Sequence, residues 1–102
     1  MILYKNIFLA DDDVEDQEIF AEALRSIDRD VKITSARNGE AALQTLRVGL
    51  ERKPDIIFLD MNMPLMNGKQ LLARIKSLET YRQTPVIMYS TFFADQDLEE
   101  IT

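Results

Sequence analysis

Three groups of side chains in this sequence could act together: Asp11-Asp12-Asp13, Asp60 and Ser90. Each stands where an apolar run stops. Ile7-Phe8-Leu9-Ala10 runs into the three aspartates, Ile56-Ile57-Phe58-Leu59 into Asp60, and Val86-Ile87-Met88-Tyr89 into Ser90-Thr91. Carboxylates crowded at one place repel one another, at a cost of several kcal/mol if they stay ionised and unpaired. A hard divalent cation removes that cost. Mg²⁺ takes one or two carboxylates, keeps several waters and fills its octahedron with substrate oxygens. The aspartates supply such a partial shell, which suits a site that receives a phosphoryl group. With no His, no Cys and no glycine-rich phosphate loop, the candidate nucleophile is a carboxylate. Asp60 is the group suited to forming an aspartyl phosphate. That transfer needs positioning and charge neutralisation more than acid–base work. The Ser90 hydroxyl suits a phosphoryl oxygen.

These groups need a scaffold that brings three strand ends together. The run Ile56 to Leu59 lies between Pro54-Asp55 and Pro64 and is too short for a free-standing helix, so it reads as a buried strand. Ile7 to Ala10 reads as a first buried strand, followed by a helix with Asp12 or Asp13 as N-cap and Glu15 and Asp16 in its first turn. Ile19, Phe20, Ala23, Leu24 and Ile27 make one apolar face of that helix. Val31 to Ala36 alternates as a half-exposed strand near a sheet edge does.

Asn38-Gly39 reads as a turn. A second helix carries Leu43, Leu46 and Leu50 and ends at Arg52-Lys53-Pro54, with basic residues at its negative end. After Asp60, Pro64 and Gly68 shape a loop that leaves backbone groups free to face a metal. Leu71, Leu72, Ile75 and Leu78 form the inner face of a third helix. Glu79 to Thr84 reads as a polar connection. Pro85 to Tyr89 reads as a fourth buried strand, with Pro at its tolerated first position. Ala94 to Thr102 reads as a fourth helix. Strand and helix alternate through four units, which predicts an α/β doubly wound parallel sheet with right-handed crossovers. The mouths of its strands are where ligands collect in such a sheet.

The 102 residues predict one domain, 1–102, with 46% hydrophobic and 29% charged residues. A net charge of −6 without a basic segment argues against a grip on nucleic-acid phosphates. The missing Cys and His exclude disulfides, thiolate metal sites and imidazole ligands. An oxygen-only metal site favours Mg²⁺, Mn²⁺ or Ca²⁺. No run approaches a membrane span, and Met1 to Asn6 lacks the charged start of a signal peptide, so the expected location is the cytoplasm.

Each chemical feature also has a plain structural reading. An acidic run before a helix caps it, an Asp after a strand turns the chain, and Ser90-Thr91 caps a following helix. The five Met residues scatter and suggest no metal site. Appropriate groups at three separate strand ends, in order, argue against coincidence.

On these residues the chain resembles the receiver domain of two-component response regulators, of the CheY type. The resemblance rests on Ile7 to Asp13, on Leu59 to Gly68 and on Pro85 to Thr91. It implies a flavodoxin-like (CheY-like) fold with strand order 2-1-3-4-5. It implies that Asp60 accepts a phosphoryl group from a histidine kinase or phosphotransfer protein. It implies Asp12 as a direct Mg²⁺ ligand, Asp11 acting largely through water, and the backbone carbonyl of Asn62 as a third protein ligand. Ser90 matches the family's switch hydroxyl, which moves toward the phosphoryl group and draws its loop along. The region Asp95 to Glu100 matches the family's usual docking surface for an unknown downstream protein. Phe92, beside the path of attacking water, should slow phosphoryl hydrolysis.

The sequence departs from the family after the fourth helix, because it shows no fifth strand with its Lys and no fifth helix. Lys69 and Lys76 belong to the third helix and do not match that Lys. The expectation is a strand order of 2-1-3-4 in a truncated chain, or completion by a dimer or a domain swap across an open fourth-strand edge. Two rivals follow. A pseudo-receiver would keep the fold as an interaction module without phosphorylation. A haloacid dehalogenase-like phosphohydrolase would also use a strand-end Asp and Mg²⁺, but it places a second Asp where this chain has Asn62.

Overall fold

The computed structural model describes residues 5–90. Expectations at Met1 to Tyr4, at Thr91 and Phe92, and for the helix from Ala94 to Thr102 with its docking region fall outside the described residues. Four parallel strands form one sheet: β1 (Asn6–Ala10), β2 (Lys32–Ala36), β3 (Ile56–Asp60) and β4 (Val86–Tyr89), in the order β2-β1-β3-β4. Helices α1 (Val14–Ile27), α2 (Gly39–Val48) and α3 (Gly68–Ser77) connect them, with a 3₁₀ turn at Glu79–Tyr81. This is the expected doubly wound sheet, and all four strands end at the same edge.

The alternation of side chains along each strand divides the core in two. Phe8, Ala10, Ile57 and Leu59 face the side covered by α2 and α3, where they pack with Leu43, Leu46, Leu71 and Ile75. Ile7 and Ile56 face the other side, where Phe20 and Leu24 of α1 join Val31, Ile33 and Phe58. The first cluster is by far the larger. No residue of α1 is fully buried, and this corrects the predicted five-residue inner face. Ile19 and Ile27 are 65% and 70% exposed, and Ala23 is exposed as well. The helix touches the sheet along the Phe20–Leu24 stripe, so apolar residues on its flanks stay in water.

Local chemistry fixes the ends of the elements. Asp13, not Asp12, caps α1, its side chain accepting from the N–H groups of Glu15 and Asp16. Asn38 caps α2 by accepting the Ala41 N–H, so the Asn38-Gly39 turn is a helix start. That helix stops at Val48, short of the predicted Arg52. Gly49 follows with φ +97°, a left-handed value that ends a helix, and Leu50 still packs on the core from outside it. Asn67 and Gln70 form a capping box on α3.

Two further expectations need correction. The connection from Glu79 to Thr84 is not simply polar, because Tyr81 is buried and donates its hydroxyl to the Leu46 carbonyl at 2.6 Å. Lys76 lies over this turn, donating to the carbonyls of Tyr81, Arg82 and Thr84. The fourth strand is half-buried rather than buried, with Ile87 exposed, as its place at one flank of the described sheet explains.

Among the described residues, one non-glycine residue has a left-handed backbone. Leu65 has φ +68° and a fully exposed side chain. A branched residue there costs about 1–2 kcal/mol, and no packing offsets it. Leu65→Asn is expected to raise stability by about 1 kcal/mol, because Asn tolerates this conformation. An unchanged or lower thermal midpoint would show that the strain is not there.

Candidate phosphoacceptor and cation site

The parallel register decides which side chains meet. Leu59 lies beside Ala10, so the next residues of the two strands are Asp60 and Asp11. Asp60 lies beside Tyr89. Side chains in register on parallel strands share a face, so Asp11, Asp60 and Tyr89 form a row across three strand ends. Pairing continues past the strands. Asp11 N–H donates to the Ala36 carbonyl and Met61 N–H to the Tyr89 carbonyl, which holds the row rigidly.

Carboxylate oxygens of Asp11, Asp12 and Asp60 lie within 4.8 Å of one another. Asp11 is 0% and Asp60 2% exposed, while Asp12 is open to solvent. Asp11 Oδ1 accepts the Asp13 N–H at 2.9 Å, and Oδ2 accepts the Tyr89 hydroxyl at 2.8 Å. The Asp11 carbonyl accepts the Gln17 side-chain amide. Asp60 Oδ1 accepts the Asn62 N–H at 3.0 Å. The Asn62 side-chain amide donates to Ser90 Oγ at 2.7 Å. Thus Asp11, Asp12, Asp60 and Ser90, all singled out from the sequence, lie at one edge of the sheet. Asn62 joins them through its N–H and its side chain.

Burial pushes the Asp60 carboxyl up to about 6. The Asn62 N–H opposes this, and Asp11 and Asp12 add to it, by repulsion and by the hydrogen bond that protonated Asp60 donates to Asp12. Asp11 is also raised, chiefly by burial, against the opposing hydrogen bonds from Asp13 and Tyr89. Buried carboxylates whose ionisation is disfavoured beside one another mark a candidate functional site. Its donors are all oxygens at the spacing of one coordination sphere, so the residues suit a hard divalent cation.

Sequence reasoning missed Tyr89. From sequence its ring is one more apolar residue of a buried strand, and only the register across three strands brings its hydroxyl to Asp11. Burial and the Asp11 hydrogen bond raise its hydroxyl well above the usual phenol range.

A family model for the response regulator receiver domain matches residues 7–102. The chain is 36% identical over 85 residues to a protein-glutamate methylesterase/protein-glutamine glutaminase of Clostridium acetobutylicum, covering 83% of this chain and 23% of that protein. It therefore spans less than a quarter of that relative. Among solved structures it is similar to the phosphorylated cyanobacterial phytochrome response regulator RcpA, with a TM-score of 0.76 and 34% identity over 94% of this chain and 71% of that one. The Mn²⁺-bound form of response regulator Rcp1 gives a TM-score of 0.75 and 29% identity, covering 93% of this chain and 71% of that one. No helix among the described residues is long and apolar enough to cross a membrane.

Proposed function

Because the chain belongs to the response regulator receiver family, the signalling domains of two-component systems, we propose that Asp60 is its phosphoacceptor and that residues 1–102 belong to one such domain. The donor is the phosphohistidine of a histidine kinase or phosphotransfer protein. One Asp60 oxygen is held by the Asn62 N–H, and the other attacks phosphorus. The new O–P bond forms as the P–N bond breaks. The electron pair returns to the imidazole, which takes up a proton. The observation that carries this reading is the cluster of three carboxylates within 4.8 Å of one another, the buried Asp60 among them.

The cation we assign to the cluster is Mg²⁺, with Mn²⁺ as a substitute. Asp12, Asp60 and the Asn62 backbone carbonyl would hold it directly, and Asp11 would act through water. When bound, the ion offsets charge on the oxygens of the transferred group. Asn62 and Ser90 close one side of the site by their hydrogen bond. Phosphorylation draws the Ser90 hydroxyl to a phosphoryl oxygen, and that exchange of partners alters a surface read by a downstream protein. The domain works in the cytoplasm and turns over no substrate beyond its own acyl phosphate. Family membership sets aside the haloacid dehalogenase-like reading.

The test is incubation with Mg²⁺ and acetyl phosphate, followed by intact mass. One phosphoryl adduct is expected, lost when EDTA replaces Mg²⁺. Binding of a beryllofluoride mimic should show the same dependence. No adduct and no mimic binding would leave the chain a pseudo-receiver.

A further inference from the structure

Tyr89 spans the row of strand ends. β1 and β4 are separated by β3, so they lie two strand spacings apart, about 9–10 Å. The Tyr89 hydroxyl nevertheless reaches Asp11 Oδ2 at 2.8 Å, passing the level at which Asp60 ends β3. A Ser or Thr hydroxyl is too short for that reach, and Phe has no donor. The ring is held in place. Phe20 of α1 stacks on it with centroids 5.8 Å apart and planes 16° from parallel, and Phe20 is itself packed edge-on against Phe58.

Both oxygens of Asp11 thereby accept a hydrogen bond from a neutral donor, the Asp13 N–H and the Tyr89 hydroxyl. Neutral donors fix the direction of the carboxylate and leave its charge for a cation. Rotation of Asp11 would cost at least one of these bonds in a buried place.

We propose that Tyr89 is a positioning residue for the divalent cation: it clamps Asp11 across the site and so sets the affinity of the acidic cluster for Mg²⁺ and Mn²⁺. This rests on the reading of the cluster as a cation site. Partners that orient metal ligands are typically worth 10–100-fold in affinity. Tyr89 also adjoins Ser90, so the same side chain ties the end of β4 to Asp11 just past β1.

The experiment titrates Mn²⁺ into the full chain and follows the free-ion EPR signal, with Mg²⁺ measured by competition. Wild type is expected to bind, and Tyr89→Phe to bind about 10-fold more weakly, with its thermal midpoint only about 4–8 °C lower, because the ring still stacks on Phe20 while one buried hydrogen bond is lost. In an Asp11→Asn background the same change should matter by less than about 2-fold, since it acts through Asp11. Equal or tighter binding by Tyr89→Phe overturns the inference, as does an undiminished effect in the Asp11→Asn background. Absence of binding by wild type overturns the cation-site reading itself. Should Tyr89→Phe fold poorly, wild type supplies its own probe. The chain has no Trp, and a phenol bonded to a carboxylate is quenched. The clamp persists with the cation bound, so Mg²⁺ is expected to leave that quenching in place, and a rise in tyrosine emission at Mg²⁺ saturation, reporting loss of the Tyr89–Asp11 bond, overturns the inference.

Discussion

Asp60→Asn is expected to abolish the phosphoryl adduct and, in the same stroke, to stabilise the metal-free domain at neutral pH. The first effect follows because an amide oxygen does not form the acyl phosphate. The second follows from burial. Asp60 titrates at about 6 in the folded chain against an ordinary value of 3.8. A raised carboxyl favours folding only while it is protonated, so its contribution is full below pH 4 and is lost as pH climbs from about 4 through 6. At pH 7.5 the folded protein must carry an ionised Asp60 in a dry site beside Asp11 and Asp12. Two pKa units correspond to roughly 3 kcal/mol, which Asn removes while its side-chain oxygen still accepts the Asn62 N–H. Asp28, lowered chiefly by its hydrogen bond to Lys5 and then by the Asp30 N–H, acts in the opposite sense but below pH 4, outside this window. Metal-free Asp60→Asn should therefore melt higher than wild type at pH 7.5, by about 4–8 °C per kcal/mol gained, with the gap closing toward pH 4.5. Excess Mg²⁺ should stabilise wild type, by about 2.7 kcal/mol at one hundred times its Kd, and the variant less. A variant that still takes the label, or one that melts below wild type at pH 7.5 without metal, would refute this assignment.

The sequence makes the site more legible than the packing around it. Asp11, Asp60 and Ser90 can be found because each follows a run of consecutive apolar residues, with Asp12 next to the first, and buried strands leave that mark. Once three such runs alternate with helices, parallel topology places their ends at one edge. The face of α1 is less legible. Ile19 and Ile27 have the helical spacing of core residues yet lie in water, because periodicity gives a stripe's direction and not the width of the surface beneath it. Tyr81 is hidden for a different reason. Its polar neighbours mask a single ring whose hydroxyl satisfies the Leu46 carbonyl. Tyr89 needs the register of three strands before its partner can be named. Gly49 illustrates local override, since its left-handed backbone ends α2 although Leu50 continues the apolar spacing. The site is written in residue types at chain-local boundaries, whereas these packing details depend on contacts between distant segments.

Gly68→Ala is the smallest change expected to damage fold and site together. Gly68 opens α3, directly beneath the loop that leaves Asp60. A methyl group there would lie 2.8 Å from the Asp60 carbonyl oxygen, 2.9 Å from Met61 Cα and 3.2 Å from the Asp60 carbonyl carbon. All three are backbone atoms, so no side chain can swing aside. Its N–H also donates to the Met61 carbonyl, which pins the helix to the loop. Helix propensity alone would favour Ala by about 1 kcal/mol. Overpacking against backbone costs about 1–3 kcal/mol and sometimes more, and the strain exceeds the gain because the strand end is held by pairing on both sides. A net loss of about 2 kcal/mol is expected, or roughly 10 °C in thermal midpoint. Relief can come only by shifting the Asp60–Asn62 backbone, which carries the nucleophile and a proposed ligand, so Mn²⁺ affinity and labelling by acetyl phosphate should fall as well. Gly39→Ala is the control. Its methyl would meet the side chain of Met66, 2.7 Å from Sδ and 2.9 Å from Cβ; the thioether can swing aside, and Cβ yields by a shift of the Met66 backbone, not of the Asp60–Asn62 backbone. That variant should lose less stability and keep its affinity for Mn²⁺. If Gly68→Ala proves as stable as wild type, the loop is softer than this packing implies, and the rigid placement of Asp60 on which phosphoacceptance depends must come from elsewhere.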